Sequence, residues 1–235
     1  MKTVISIYAW TVGMVTMGIL LITCILLSYI LPPRTLDRYL KAGCRFVLRV
    51  LFVRVRVEGA ETVDRQGIHL FMANHASLFD VLVLAGYIPE FVRAVEADSH
   101  FSWPVYGWAI RRLGNIPIKR KDVHSSVRSI RRAEDWIKDG KSLVILPEGS
   151  RTLDGKLRPF KKLPFFLAKQ SGVDIIPIGL SGLFSLKSKR SWVIRPTPVT
   201  VKFGPSISRE TIQSLSEEDL RDKVREEIEK LIERK

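Results

Sequence analysis

The stretch that decides the fold is IHLFMANHASLFDVLVLA, at positions 68–85. It opens with an apolar run at 68–73, which is typical of a strand buried on both faces of a sheet. It closes with a second apolar run at 81–85, which favours the start of a helix. Between the two runs lie polar residues, which are Asn74, His75, Ser77 and Asp80. The order strand, polar turn, helix predicts an α/β fold, and such folds place their sites at the carboxyl ends of strands.

The same alternation continues along the chain on both sides of this stretch. Further strands are predicted around 53–57, 91–95, 115–118, 143–146, 174–178 and 199–203. Helices are predicted around 78–87, 104–113, 125–138 and 160–170. Ser216 and Asp219 have the spacing of a cap that opens a last, charged helix. This alternation predicts an α/β domain with a mostly parallel sheet flanked by helices.

The apolar residues are concentrated at the amino terminus. Thr3 to Pro33 contain no charged residue, and the 29 residues of 3–31 would form a helix of roughly 43 Å. A hydrocarbon core is about 30 Å thick, so this segment is long enough to span, tilt or bend in a bilayer. It is too long for the apolar part of a signal peptide, and no small-residue cleavage site follows it. A retained membrane anchor is therefore the favoured interpretation.

A basic amphipathic helix is predicted directly after the anchor. Its positive side chains fall on one helical stripe, and they are Arg34, Arg38, Lys41, Arg45 and Arg49. Such a helix suits an anionic bilayer surface, although a helix packed on the protein's own core has the same pattern. Next to an anchor we favour the interfacial interpretation, and the basic flank predicts a cytoplasmic side. The chain thus divides into an anchor with an interfacial helix, 1–53, and an α/β domain, 54–235.

The charge balance narrows the classes of protein. The 235 residues include 38 Lys and Arg against 24 Asp and Glu, a net charge of +14, and 46% are hydrophobic. A nucleic-acid binder of this charge is usually more polar, and a disordered chain has fewer large apolar residues. The net charge is +7 over 1–57 and +9 over 58–205, so both parts favour anionic partners. The two cysteines lack the spacing of a zinc site, and no metal is expected.

The polar turn at 74–80 holds the first candidate for chemistry. If Asp80 lies in the first helical turn, its carboxylate can accept a hydrogen bond from one imidazole nitrogen of His75. The other nitrogen would then act as a general base. Asp80 also follows Ser77 at the spacing of a capping box, and on spacing alone the cap is favoured. Because the chain has no G-x-S-x-G turn, we expect His75 to act directly on a substrate hydroxyl.

A second candidate is the stretch LPEGSR at 146–151, which again follows a predicted strand. Arg151 has the planar guanidinium that suits a phosphate, and Glu148 would hold it or another basic residue in register. Gly149 permits a close approach of backbone N–H groups. Further basic residues follow a strand or open a helix, and they are Lys119, Arg120, Lys161 and Lys162. They form either one anion-binding rim or ordinary solvated surfaces.

Four blocks of the chain resemble the motifs of the glycerolipid acyltransferases, and most closely the bacterial lysophosphatidic acid acyltransferases. They are NHASLFD at 74–80, GNIPIKR at 114–120, LPEGSR at 146–151 and IPI at 176–178. The blocks occur in the family's order over about residues 54–204. A single block is weak evidence, whereas four in order are specific.

The resemblance implies transfer of a fatty acyl group to the sn-2 hydroxyl of 1-acyl-sn-glycerol 3-phosphate, which gives phosphatidic acid in phospholipid biosynthesis. It implies that His75 is the general base and that Asp80 orients it, which shifts the interpretation of Asp80 from cap to catalysis. The implied phosphate site is Arg120, Glu148, Gly149 and Arg151. The resemblance also implies that the site is supported by Asn74, Ser77, Lys119, Lys161 and Lys162. The acyl donor would be acyl-ACP or acyl-CoA, with no metal or other cofactor.

The partners implied are lysophosphatidic acid, acyl carrier protein or a CoA thioester, and an anionic phospholipid membrane, with no nucleic acid. The expected location is the cytoplasmic face of the inner membrane. Two alternatives stay open. One is an acyltransferase of the same fold that uses another lysophospholipid or glycerol 3-phosphate. The other is a non-catalytic membrane protein that binds anionic lipid.

Overall fold

The computed structural model describes residues 2–119 and 123–232, with every side chain apart from those of 123–127. In these ranges one sheet contains β1 (Val55–Glu58), β2 (His69–Ala73), β3 (Val92–Ala97), β4 (Ile116–Ile118), β5 (Ser142–Ile145), β6 (Asp174–Ser181) and β7 (Val199–Phe203). The order across the sheet is β1-β7-β6-β2-β5-β3-β4. Strand β2 lies at the centre, with β5 and β6 parallel to it on its two sides. The carboxyl ends of these three strands therefore meet at one edge of the sheet.

The sheet is mostly parallel, which confirms the predicted fold class, and it has one antiparallel pair. Strands β6 and β7 run in opposite directions, with Ile178 opposite Phe203. The connection between them contains only the four-residue helix α7 (Leu183–Leu186). A parallel connection needs a crossover, usually a longer helix, to return the chain to the starting end of the sheet. The chain instead turns back along β6.

Helices cover both faces of the sheet. The remaining helices are α1 (Lys2–Leu27), α2 (Pro33–Val50), α3 (Asp80–Tyr87), α4 (Tyr106–Leu113), α5 (Val123–Lys138), α6 (Leu163–Ser171), α8 (Arg209–Ser214) and α9 (Glu217–Leu231). In β2, Phe71 and Ala73 belong to the core under α2 and α3. Leu70 and Met72 belong to the core under α5, α6 and α9. This double burial explains why four consecutive residues of the strand, 70–73, are apolar.

Helix α1 lies against the rest of the molecule along most of its length. Near its start, Ser6 Oγ accepts a hydrogen bond from Ile194 N–H at 3.1 Å, and Trp10 Nε1 donates to the Trp192 carbonyl at 2.7 Å. Near its end, Leu21 packs on α4. Its opposite face exposes apolar side chains, among them Val4, Ile7, Met14, Val15, Ile19, Ile22 and Leu26. By length and composition, it is the one helix among the described residues that is able to cross a bilayer.

Helix α2 places its apolar side against the protein's own core. The side chains buried there are Leu36, Cys44, Val47 and Leu48. The apolar face is therefore not available to lipid, which corrects the simplest form of the interfacial interpretation. The opposite side exposes four arginines, which are Arg34, Arg38, Arg45 and Arg49. Two exposed aromatic side chains, Tyr39 and Phe46, belong to the same helix.

The fifth basic residue of the predicted stripe, Lys41, faces the interior instead. Its ammonium lies 2.9 Å from Asp37 Oδ2 and donates to the Glu90 carbonyl at 2.8 Å. Asp37 also accepts from Arg93 Nη1 at 2.6 Å, and the two residues are only 5% and 3% exposed. Breaking a buried pair leaves an uncompensated charge, which is strongly destabilising. This network therefore attaches α2 to β3.

Candidate active site

His75 and Asp80 meet beyond the carboxyl end of β2. Asp80 opens α3, and its Oδ2 is 2.6 Å from Nδ1 of His75. The same carboxylate accepts the backbone N–H groups of Ala76 and Ser77, at 2.8 and 3.0 Å. The two roles that the spacing left open, cap and imidazole partner, are therefore combined in one fully buried carboxylate. These donors satisfy an acceptor that water does not reach.

The partner on one side of the His75 ring determines what the other side can do. A carboxylate accepts, so we assign the ring proton to Nδ1, which leaves a lone pair on Nε2. In the described part of the chain no residue hydrogen-bonds Nε2, and the side chain is 15% exposed. With its lone pair, Nε2 is able to accept a proton from a group placed beside it.

The loop after β5 holds both backbone groups of His75. The His75 N–H donates to Glu148 Oε1 at 2.7 Å, and the His75 carbonyl accepts the N–H of Thr152 at 2.9 Å. The second Glu148 oxygen accepts the N–H of Arg158 at 2.9 Å. Glu148 is 2% exposed, and its burial raises the pKa of its carboxyl against the opposing effect of the two N–H donors. The carboxylate thus joins two loops through backbone groups.

Glu148 does not pair with Arg151, which was one of the two roles suggested by the sequence. Both of its oxygens are used by backbone N–H groups of other residues. Its place in the structure is to position the histidine turn. Gly149 has a φ of +67°, in the left-handed region that favours glycine, and its N–H donates to the Leu146 carbonyl at 3.0 Å. This turn folds the loop back toward β2.

Asn74 and Ser77 attach the histidine turn to β6 and to the segment that follows it. Asn74 donates from Nδ2 to the Leu180 carbonyl at 3.0 Å and accepts the Leu180 N–H at 2.7 Å. This double contact continues the pairing of β2 and β6 beyond the end of β2. Ser77 Oγ donates to the Lys187 carbonyl at 2.8 Å. Both side chains are buried and support the turn.

The structure brings the predicted basic rim together only in part. Arg151 is half-buried in the loop that holds the histidine turn. Lys161 and Lys162 are exposed just before α6, and the Lys161 N–H bonds to that same loop. Lys119 is exposed after β4, three strands from β2, or about 14 Å across the sheet at 4.8 Å per strand. Arg120, also predicted at the site, lies outside the described residues.

One charged residue near the site was missed by the sequence analysis. Lys187 is buried, and its Nζ donates to the Ser188 carbonyl at 2.9 Å. Burial, and then the charge of Arg151, lower the pKa of its ammonium. The signal that was available is its position after β6, because β6 is a direct neighbour of β2. Polar residues after such a strand belong to the same edge of the sheet.

Fold and site together define the class: an α/β protein with a hydrogen-bonded histidine–aspartate pair at the carboxyl edge of a mostly parallel sheet, beside cationic side chains. Among the described residues, no group of three or more His, Cys, Asp or Glu side chains is placed to hold a metal ion. The chain belongs to the acyltransferase family, whose model matches residues 54–181. That range runs from β1 to the end of β6 and includes every candidate site residue predicted from the sequence.

Individual relatives agree with this family. The chain is 31% identical over 154 residues to a chloroplast 1-acyl-sn-glycerol-3-phosphate acyltransferase of Brassica napus, with 62% of this chain and 44% of the relative covered. A protein with the same activity in its name, from Pseudomonas aeruginosa, is 25% identical over 187 residues, with coverages of 77% and 72%. The chain spans only about half the length of the plant relatives it matches. For a relative from Arabidopsis thaliana the share is 37%.

A solved structure has the same fold. It is the crystal structure of the 1-acyl-sn-glycerophosphate (LPA) acyltransferase PlsC from Thermotoga maritima, with a TM-score of 0.84 at 24% identity. The superposition covers 97% of this chain and 93% of that one. The shared fold therefore extends beyond the range of the family model and into the N-terminal helices.

Proposed function

We propose that this protein transfers a fatty acyl group from an acyl thioester to the sn-2 hydroxyl of 1-acyl-sn-glycerol 3-phosphate, which gives phosphatidic acid. The observation that carries the proposal is the His75–Asp80 pair, with Nε2 of His75 open to a substrate, inside a domain of the acyltransferase family. The activity in the names of the plant and bacterial relatives supports the choice of acceptor.

In this mechanism His75 accepts and returns one proton, Asp80 orients its ring, and no covalent enzyme intermediate forms. Nε2 of His75 accepts the proton of the sn-2 hydroxyl as the oxygen attacks the thioester carbonyl. The tetrahedral intermediate collapses, the C–S bond breaks, and the thiolate takes the proton back from Nε2. Asp80 keeps the Nδ1–H oriented throughout. The acyl donor, acyl-ACP or acyl-CoA, is a co-substrate, and the mechanism uses no cofactor.

The acceptor's phosphate is the natural ligand for the basic residues at this edge. Arg151 supplies a planar guanidinium in the loop that holds His75, and Arg120 belongs to the same set by sequence. Glu148 and Gly149 would contribute by shaping the loop, with support from the lysines at 119, 161 and 162. Charged hydrogen bonds of this kind contribute about 1.5–3 kcal/mol each.

Product analysis with both donors tests the proposal directly. We expect the full-length protein to make phosphatidic acid from lysophosphatidic acid and at least one of acyl-ACP and acyl-CoA. Replacing the acceptor by monoacylglycerol should lower kcat/KM by about 10²-fold, because phosphate contacts of 1.5–3 kcal/mol are lost. The measurement is separation and identification of the labelled lipid product for each donor and acceptor.

Two outcomes would contradict this assignment. Preference for lysophosphatidylcholine or glycerol 3-phosphate would assign the same chemistry to a different acceptor. Lipid binding without turnover of either thioester would make the protein a non-catalytic binder of anionic lipid.

We also propose that residues 1–53 attach the protein to the cytoplasmic face of the inner membrane. Helix α1 contacts the domain near both of its ends, through Ser6 and Leu21. If α1 crossed the bilayer at right angles, the parts of the domain that contact it would lie in the hydrocarbon core. Unsatisfied polar groups are costly there. This arrangement supports insertion of α1 into one leaflet, with the arginine side of α2 near the lipid headgroups.

The exposed arginines of α2 offer a quantitative test of membrane attachment. Replacing Arg38, Arg45 and Arg49 together by glutamine should weaken binding to phosphatidylglycerol vesicles about 100-fold, because each basic residue contributes about 1 kcal/mol at an anionic surface. The measurement is vesicle flotation at low salt, and raised salt should reduce the difference.

The matched control removes three positive charges from a different surface of the protein. Arg209, Lys223 and Lys230 are exposed on α8 and α9, and α9 packs on the other face of the sheet from α2. Their triple glutamine variant should float like the wild type. Equal weakening in both variants would show that net charge, and not the α2 surface, drives attachment.

A further inference from the structure

The segment between β6 and β7 carries a cation for which the mechanism above has no role. Lys187 is 5% exposed, and lysine is almost never buried unless it is paired. Its Nζ donates to the Ser188 carbonyl at 2.9 Å and lies 5.7 Å from the centroid of the Trp10 ring. The charge is therefore held inside the protein, and no carboxylate of residues 2–119 or 123–232 pairs with it.

Lys187 lies beside the histidine turn. Its carbonyl accepts the hydroxyl of Ser77, two residues after His75, at 2.8 Å. On the other side, the residue after Arg151 donates its N–H to the His75 carbonyl at 2.9 Å. The two cations repel each other, since burial and then the positive charge of Arg151 lower the pKa of Lys187. An anion between them would relieve both the repulsion and the unpaired charge.

We infer that Lys187 and Arg151 together bind the phosphate monoester of the lysophospholipid acceptor. The inference rests on the proposed function for the identity of the acceptor. A phosphate monoester carries nearly two negative charges at pH 7, which matches one guanidinium and one ammonium. The phosphodiester in the arm of an acyl carrier protein carries only one.

The covalent structure of the acceptor also places its phosphate here. The sn-2 oxygen and the phosphorus are joined through two carbons and one oxygen, so the phosphate lies within one glycerol length of the attacked hydroxyl. When that hydroxyl meets Nε2 of His75, the phosphate must lie beside the histidine turn. Lys187 and Arg151 lie on the two segments that hydrogen-bond this turn.

Helix α1 positions the lysine. Trp10 presents its ring to Nζ of Lys187 and donates from Nε1 to the Trp192 carbonyl, while Ser6 bonds to the backbone of Ile194. The segment that carries Lys187 is therefore attached to the same helix that we propose to lie in the membrane. A cation is attracted to the face of an aromatic ring, so this contact orients the ammonium.

Substitution of Lys187 tests the inference in the full-length protein in detergent micelles. For Lys187→Met we expect the Kd of glycerol 3-phosphate, measured by titration calorimetry, to rise at least about 10-fold. The KM for lysophosphatidic acid should rise by a similar factor. The KM for the acyl thioester should stay within about twofold, since the thioester does not use this site.

Lys187→Gln keeps a hydrogen-bond donor to the Ser188 carbonyl without the charge, so it replaces the methionine variant if that variant fails to fold. Lys189→Met, on the exposed part of the same segment, should behave as the wild type.

The outcomes separate this inference from the proposed function. Unchanged binding of glycerol 3-phosphate in the Lys187 variants would overturn the inference, as would a rise in the donor KM in place of the acceptor KM. If the wild type binds glycerol 3-phosphate through Lys187 but makes no phosphatidic acid from lysophosphatidic acid, the phosphate-monoester site stands, whereas the proposed function and the identity of the acceptor fail. Failure of the wild type to bind this phosphate ester would overturn the inference.

Discussion

Replacing His75 by alanine is expected to lower kcat for acyl transfer by about 10³-fold, within the range of 10²–10⁴ for loss of a general base. The loss follows because Nε2 of His75 is the proton acceptor in the proposed reaction. The variant should still fold, since Asp80 keeps the N–H groups of Ala76 and Ser77 as donors. The measurements are product formation at saturating substrates and the thermal unfolding midpoint of the same preparation.

A second substitution separates the base from the hydrogen bond to Asp80. In His75→Asn the side-chain amide nitrogen takes the place of Nδ1 and donates to Asp80, but no group replaces Nε2. We expect this variant to lose as much activity as the alanine variant. Near wild-type turnover in either protein would remove His75 from the chemistry and leave the pair as a structural cap.

Replacing Glu148 by glutamine is expected to lower kcat about 10- to 100-fold while the acceptor KM changes less than about threefold. Each oxygen of Glu148 accepts one backbone N–H, from His75 and from Arg158. Glutamine has one acceptor oxygen, so its NH₂ group would face one of these donors in a buried place. The cost is about 1–3 kcal/mol of stability, and the His75 turn moves out of register. Steady-state kinetics and chemical denaturation measure the two effects.

The split between kcat and KM decides what Glu148 does. A residue that positions the base affects turnover, whereas a residue that contacts the acceptor affects the acceptor KM. A rise in KM at unchanged kcat would therefore contradict the positioning role and return Glu148 to the phosphate site. Glu61→Gln, at an exposed carboxylate between β1 and β2, serves as the matched control and should leave both constants unchanged.

Much of the fold could be predicted because the signals are local. The apolar run before Asn74 corresponds to β2, and the run after Asp80 lies in α3. Strand β7 was predicted with the bounds that the structure shows, and Ser216 caps α9 as expected. The antiparallel pairing of β6 with β7 could not be predicted, because strand direction depends on the path of the connection and not on the strand itself.

The candidate site was predictable to the same extent. His75 and Asp80 are five residues apart, so a single turn brings them together. Lys41 shows what helical spacing alone cannot predict. Its ammonium faces inward because it contacts the carboxylate of Asp37 and the backbone carbonyl of Glu90. The pattern of one helix contains no information about the groups that pack against it.

The sequence by itself determined the α/β class, the apolar N-terminal helix, and the histidine turn that ends the central strand. These follow from burial periodicity, caps and turns, which depend on neighbours in the chain. Only the tertiary structure decided that Glu148 holds the backbone of His75 and that Lys187 approaches the same turn. Those contacts join residues 73 and 110 positions apart, and the order of β6, β2 and β5 in the sheet brings them together. These contacts depend on the order of the strands in the sheet, and a local pattern of side chains does not predict that order.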